Sequence, residues 1–250
     1  MTVWQSLSSQ PVLNKDEVHI WRANLDVSPT QVDSMIELLS ADEIHRADRF
    51  RFPKHRRRFI VTRSILRKLL GNYLNINPTE VKFDYSDRGK PKLSNLGIGH
   101  TLQFNISHSH EYALLGFTTH NLIGVDLEYL REMPDAVKIA RRFFSAREYN
   151  LIKNLVPEQQ SQAFLQLWTT KEAYLKAIGT GLSGSLTDVE LDFRQDDNTV
   201  FLMALDRERS SVNSWSIHSC IPTSDYVGTV AIKTQINKQK INFLTWHQNS

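Results

Sequence analysis

The sequence predicts an α/β (α+β) protein made of a pseudo-twofold pair of similar α/β halves in one chain, with its site at the interface between them. Three features lead there. Two capping boxes of the same design, Ser40-Ala41-Asp42-Glu43 and Ser145-Ala146-Arg147-Glu148, stand 105 residues apart. Each sets a serine N-cap three residues before a glutamate, after apolar residues that staple the helix entry. At the same offset Phe59 falls on Phe164, Leu70 on Leu175 and Arg67 on Glu172, within second, amphipathic helices. The stretches PTEVKFDY (78–85) and LTDVELDF (186–193) then match at an offset of 108, and both read as strands. Each copy is about a hundred residues, a usual domain size. The division places residues 1–120 in a first, phosphate-binding half and 121–250 in a second half that carries a metal site.

Composition bounds the class. The 250 residues are 40% hydrophobic and 23% charged, which suits a globular chain with a substantial core. No apolar run is long enough to cross a bilayer, and no signal-peptide pattern follows Met1, so the expected location is the cytoplasm. Cys220 is the one cysteine, which excludes an internal disulfide and a multi-cysteine metal site and fits a reducing compartment. The net charge is only +3, but between Arg46 and Lys68 ten Lys and Arg residues face a single acid, Asp48. A solvated helix face and a phosphate-binding surface both account for such a run.

The chemistry concentrates in IGVDLEYL (123–130), which reads as a strand yet carries Asp126 and Glu128. Residues two apart in a strand point the same way, so both acids face one side, against Val125, Leu127 and Tyr129 on the other. Like charges so close need a counter-charge. On the helix around WTTKEAYLKAIGTGL (168–182), Trp168, Glu172 and Lys176 stand four apart on one face. A Glu–Lys surface pair explains Glu172 and Lys176 locally; the nearby demand for a cation favours Glu172 as a third carboxylate. Asp126, Glu128 and Glu172, without cysteines, suit a hard ion held through oxygen. Mg²⁺ in such sites shares its shell with substrate phosphates. FNISHSH (104–110) supplies Ser107 and His108; no Gly-x-Ser-x-Gly elbow exists, which disfavours a hydrolase and leaves His108 as a phosphate contact. DRGKPKL (87–93) reads as a turn with Gly89 at positive φ, where Lys90 is either solvated or reaches a phosphate.

Together GVDLE and WTTKEAYLKAIGTGL closely resemble the two signature motifs of 4′-phosphopantetheinyl transferases. RGKP, FNISHS and RRFFSAREY look like further motifs of the surfactin-synthetase-activating (Sfp-like) subgroup, whose members have two similar α/β halves. The resemblance spans roughly Ser40 to Leu186. It implies transfer of the phosphopantetheine arm of coenzyme A to a serine of an acyl or peptidyl carrier protein, in fatty acid, polyketide or non-ribosomal peptide synthesis. Adenosine 3′,5′-bisphosphate would leave. It further implies that Asp126, Glu128 and Glu172 hold Mg²⁺, that Glu172 or a water activated near it takes the serine proton, and that Lys176 neutralises or protonates the leaving phosphate. Arg46, Arg58, Lys90, Ser107 and His108 would bind the coenzyme phosphates. One departure stands out: Glu43 occupies a position that is lysine in better-known members. The carrier is expected to dock at Tyr129–Phe144, which mixes Met133, Ile139, Arg141 and Arg142, and the enzyme to act as a monomer. The alternative is a nucleic-acid-binding module using the Arg46–Lys68 stripe, which leaves the three acids without a role.

Overall fold

The computed structural model describes residues 2–7, 10–87, 89–94, 102–180, 186–194, 199–205, 214–233 and 240–247. Within them the two halves repeat one order of elements. The chain opens with a short strand β1 (Gln5–Ser6). The first half then runs β2 (Glu17–Asn24), α1 (Pro29–Ile36), α2 (Ala41–Asp48) and α3 (Pro53–Leu74). A 3-10 turn at Pro78–Glu80 leads to β3 (Phe83–Tyr85), β4 (Pro91–Leu93), β5 (Leu102–Ser109) and β6 (Tyr112–Thr119). The second half runs β7 (Ile123–Tyr129), α4 (Ala136–Phe143), α5 (Ala146–Asn154) and α6 (Pro157–Ile178). A 3-10 turn at Leu186–Asp188 leads to β8 (Val189–Arg194), β9 (Thr199–Leu205), β10 (Trp215–Cys220) and β11 (Tyr226–Lys233). In the first half β2, β6 and β5 pair antiparallel in that order; in the second β7, β11 and β10 do the same. The last strand, β12 (Lys240–Thr245), returns to the first sheet, parallel to β2, with β1 beyond it.

Both capping boxes form, and both do more than cap. Glu43 accepts from the backbone of Ser40 at 3.0 Å and is buried against Arg63 and Arg67, each at 2.6 Å. Glu148 accepts from the backbone of Ser145 at 2.8 Å and pairs with buried Lys171 at 2.8 Å. Arg67 then donates to the carbonyls of Pro78 and Val81, and Lys171 to those of Leu186 and Val189. The same device thus ties each long helix to its capping box and to the 3-10 turn that follows. Each charge is paired and hydrogen-bonded, the condition under which burial is tolerated.

This corrects two expectations. The long helices, both 22 residues with proline at the first turn, align from Pro53 to Pro157, an offset of 104. Arg67 therefore corresponds to Lys171, not to Glu172. The two matched stretches also begin as 3-10 turns and become strands only at Phe83 and Val189. The basic run divides as well: Arg63 and Arg67 are structural and buried, and Arg57 and Arg58 both grip Glu111. Arg46, Arg49, Arg51 and Lys54 remain exposed. That removes much of the continuous stripe on which nucleic-acid binding depended.

The halves meet where β7 lies beside β5 without joining its ladder. Alternate polar side chains of β5 take the place of a strand: Asn105 Oδ1 accepts from the Val125 N–H at 2.9 Å, and Ser109 Oγ from that of Tyr129 at 3.1 Å. On its other side β7 sits directly on α6. A Cβ on Gly124 would overlap the carbonyl oxygen of Ala173, so only glycine permits this approach. It brings Asp126 beside the face of α6 that carries Glu172 and Lys176.

Candidate active site

Asp126 is buried at the seam with its two carboxylate oxygens in different surroundings. Oδ1 accepts from Lys176 Nζ at 2.6 Å and from Ser107 Oγ at 2.9 Å, while Lys176 also donates to Ser107 Oγ at 2.8 Å. Among the described residues Oδ2 is buried without a partner, and so is Oε1 of Glu172. Buried polar atoms are nearly always satisfied, so two orphaned carboxylate oxygens on facing elements call for a ligand. Glu128 is engaged by Arg131 at 3.2 Å and by Ser109 at 3.3 Å. The counter-charges that the strand's acids require are thus Lys176 and Arg131. Trp168, on the same helical face, belongs instead to an aromatic stack with Phe144 and Phe164.

The three acids share one electrostatic field. Burial, then the charge of Asp126, push the Glu172 carboxyl up to about 7; Lys176 pulls the other way, and Glu128 adds the smallest push. Among the described residues no three acidic, histidine or cysteine side chains are gathered closely enough to enclose an ion. The donor set nevertheless fits Mg²⁺: hard oxygen donors, two of them without a partner among the described residues, whose like charges still weigh on Glu172 with Lys176 and Arg131 in place. A raised carboxyl pKa means that ionised Glu172 is disfavoured in the fold. Its contribution falls as pH climbs from its unfolded value toward about 7, where the carboxyl must lose its proton. In EDTA, Glu172→Gln is expected to flatten the decline of the melting temperature across that window; an unchanged slope would assign the decline to other groups.

The phosphate contacts expected from the sequence are only partly brought together. His108 lies on β5 with an exposed edge. Partial loss of water around its ring, then the charges of Lys176, Arg58 and His55, hold its pKa below the usual histidine value. Arg58 donates to Glu111 Oε1 at 2.7 Å, and Arg57 to Oε2 at 2.8 Å. Arg46 stands apart from that pair, over the rings of Phe59 and Tyr85. Lys90 is not solvated: its ammonium donates to the carbonyls of Lys176 and Ala177. Arg88 of the same turn, and residues 181–182 of the helix motif, lie outside the described residues.

Comparison with known proteins settles the family. Residues 122–231 match the model of the 4′-phosphopantetheinyl transferase superfamily, and residues 21–120 match that of the 4′-phosphopantetheinyl transferase N-terminal region. Over 229 residues the chain is 41% identical to the 4′-phosphopantetheinyl transferase HetI of a Nostoc species, covering 92% of this chain and 93% of that one. The chain belongs to the 4′-phosphopantetheinyl transferase family. It is also 27% identical over 170 residues to the transferase Sfp of Bacillus subtilis, with 68% of this chain and 73% of that one aligned. A holo-(acyl-carrier-protein) synthase structure from Bacillus anthracis, in complex with CoA (3′,5′-ADP), matches 44% of this chain and 92% of that one, at TM-score 0.35 and 23% identity.

Several residues that shape the candidate site were not singled out from the sequence. Asn105 and Ser109 hold β7 in place, Glu111 orients Arg58, and Arg131 neutralises Glu128. The alternation Asn105, Ser107, Ser109 was the available signal: three polar side chains on one face of a strand, where a buried sheet edge would otherwise be apolar. Glu43 is accounted for too, since its carboxylate is consumed by Ser40, Arg63 and Arg67 inside the fold.

Proposed function

We propose that this transferase moves the phosphopantetheine arm of coenzyme A onto a serine of an acyl or peptidyl carrier protein, with Mg²⁺ as cofactor and adenosine 3′,5′-bisphosphate as the second product. The observation that carries the reading is the seam itself. There a buried Asp126, Glu172 and the ammonium of Lys176 converge, with an oxygen on each acid that has no partner among the described residues. Asp126, Glu172 and Glu128 would hold Mg²⁺, which would supply positive charge to the coenzyme A pyrophosphate. Glu172, held ionised by that cation, is suited to accept the proton of the incoming serine. The serine oxygen forms a bond to phosphorus as the bond to the departing bisphosphate breaks. Lys176, 2.6 Å from Asp126 and 2.8 Å from Ser107, meets the charge that develops on the leaving phosphate.

The coenzyme phosphates fall to the first half: Ser107 and His108 from β5 and Arg58 from α3, with Arg46 at the outer edge. The carrier docks along Tyr129–Phe144. There α4 exposes Arg141, Arg142 and Phe143, and the groove beside it is lined by Leu130, Arg131, Met133 and Pro157. A basic, partly apolar surface suits an acidic carrier. Sfp-like breadth toward carriers, action as a monomer and a cytoplasmic setting complete the reading; the single buried cysteine fits a reducing compartment, and among the described residues no helix is long and apolar enough to cross a membrane.

Labelled coenzyme A incubated with an apo carrier domain tests the function: label should appear covalently on the carrier, and its absence under saturating Mg²⁺ would refute the proposal. The 3′-phosphate assignment carries its own test. A charge-assisted contact contributes roughly 1.5–3 kcal/mol, so Arg58→Ala should weaken coenzyme A binding about tenfold or more. Dephospho-coenzyme A should lose much less. Equal losses, measured by titration calorimetry of both ligands, would place Arg58 on another group.

A further inference from the structure

We propose that Lys90 is a positioning residue that holds Lys176 from across the seam, and is not a contact for coenzyme phosphate. The inference rests on the reading of Lys176 as the group that meets the leaving phosphate. Lys90 sits on a turn of the first half that braces itself: Gly89 N–H donates to the Ser86 carbonyl at 2.7 Å, Ser86 N–H to the Lys90 carbonyl at 3.0 Å, and Lys90 N–H to Ser86 Oγ at 3.1 Å. Gly89 adopts φ 77, a conformation that closes the turn at little cost only with glycine. The braced turn delivers the Lys90 side chain to the C-terminal end of α6 in the other half.

There its ammonium donates to the carbonyls of Lys176 and Ala177, the latter at 3.1 Å. These carbonyls lie in the last turn, where in-helix donors run out and the helix presents its negative end. The helix stops immediately after, at Gly179 in the left-handed region, whose N–H returns to the Leu175 carbonyl. The Lys90 stem passes 4.0 Å from where a Cβ on Gly179 would stand. An ammonium carries three donors, and two of them here are spent on backbone. Lys176 is consequently fixed at both ends: Lys90 secures its peptide group, while Ser107 and Asp126 secure its ammonium. A four-carbon side chain on a fraying last turn aims poorly; one on an anchored turn starts each reaction in the same place.

The test is a kinetic cycle of Lys90→Met, Lys176→Ala and the double variant, with kcat and KM for coenzyme A measured for each, and Lys90→Arg as the conservative control. If Lys90 acts through Lys176, Lys90→Met lowers kcat about tenfold and leaves KM for coenzyme A within about twofold. The double variant is then no slower than Lys176→Ala alone, because the second loss has nothing left to disturb. Lys90→Arg, which still donates to both carbonyls, recovers most of kcat. A raised KM with unchanged kcat, multiplying with the effect of Lys176→Ala, would overturn the proposal in favour of a phosphate contact. If Lys176→Ala itself leaves kcat unchanged, the catalytic reading of Lys176 fails first, and the positioning role falls with it.

Discussion

Replacing Asp126 by alanine is expected to abolish transfer, lowering kcat/KM at least about 10²-fold while the protein stays folded. The fold should tolerate the change because two effects oppose. Lys176 loses its partner, but its side chain is 28% exposed and water can take up part of the charge. Glu172, meanwhile, is relieved of a like charge that stands directly behind burial among the causes of its raised pKa. That carboxyl should therefore titrate lower in the variant than in the wild type. Activity has no such compensation: the change removes the orphaned Oδ2, the hydrogen bond from Ser107 and the anchor of Lys176 together. Steady-state rates with a purified carrier, read beside a thermal melt, separate the two. Near-normal turnover at limiting Mg²⁺ would refute the metal role of Asp126.

Lys176→Ala should lower kcat by about 10²-fold or more and change KM for coenzyme A far less, because charge on the leaving phosphate develops only in the transition state. The substitution has a second signature. Among the described residues Lys176 is the one neighbour that lowers the Glu172 pKa, so its removal should push that carboxyl higher still. The alkaline shift should be visible when the Glu172 carboxyl is titrated in the metal-free protein. A loss confined to KM would make Lys176 a binding residue.

Much of this site was legible in the sequence because its parts obey local rules. A strand with acids at alternate positions and a helix with Glu172 and Lys176 four apart each predict a shared face, and the structure sets those faces against each other at Gly124. The capping boxes revealed the repeat, since a serine and a glutamate three residues on have a fixed geometric meaning. What the sequence concealed is where long side chains end. Lys90, Arg63 and Arg67 read as cations available to phosphate, but each reaches backbone or a buried acid. Nothing local to a lysine says which distant carbonyls lie within its reach. The one-residue slip between Arg67 and Glu172 has a similar origin: the connection between capping box and long helix is one residue shorter in the second half, and side-chain identity alone did not reveal it.

The most direct test of the central claim, that Asp126 and Glu172 form a divalent cation site between the halves, is a Mn²⁺ titration followed by the loss of the free-ion electron paramagnetic resonance signal, in the presence of coenzyme A. The arrangement predicts one site per chain in the wild type, lost in both Asp126→Ala and Glu172→Gln. Stoichiometric binding that survives both substitutions would contradict it.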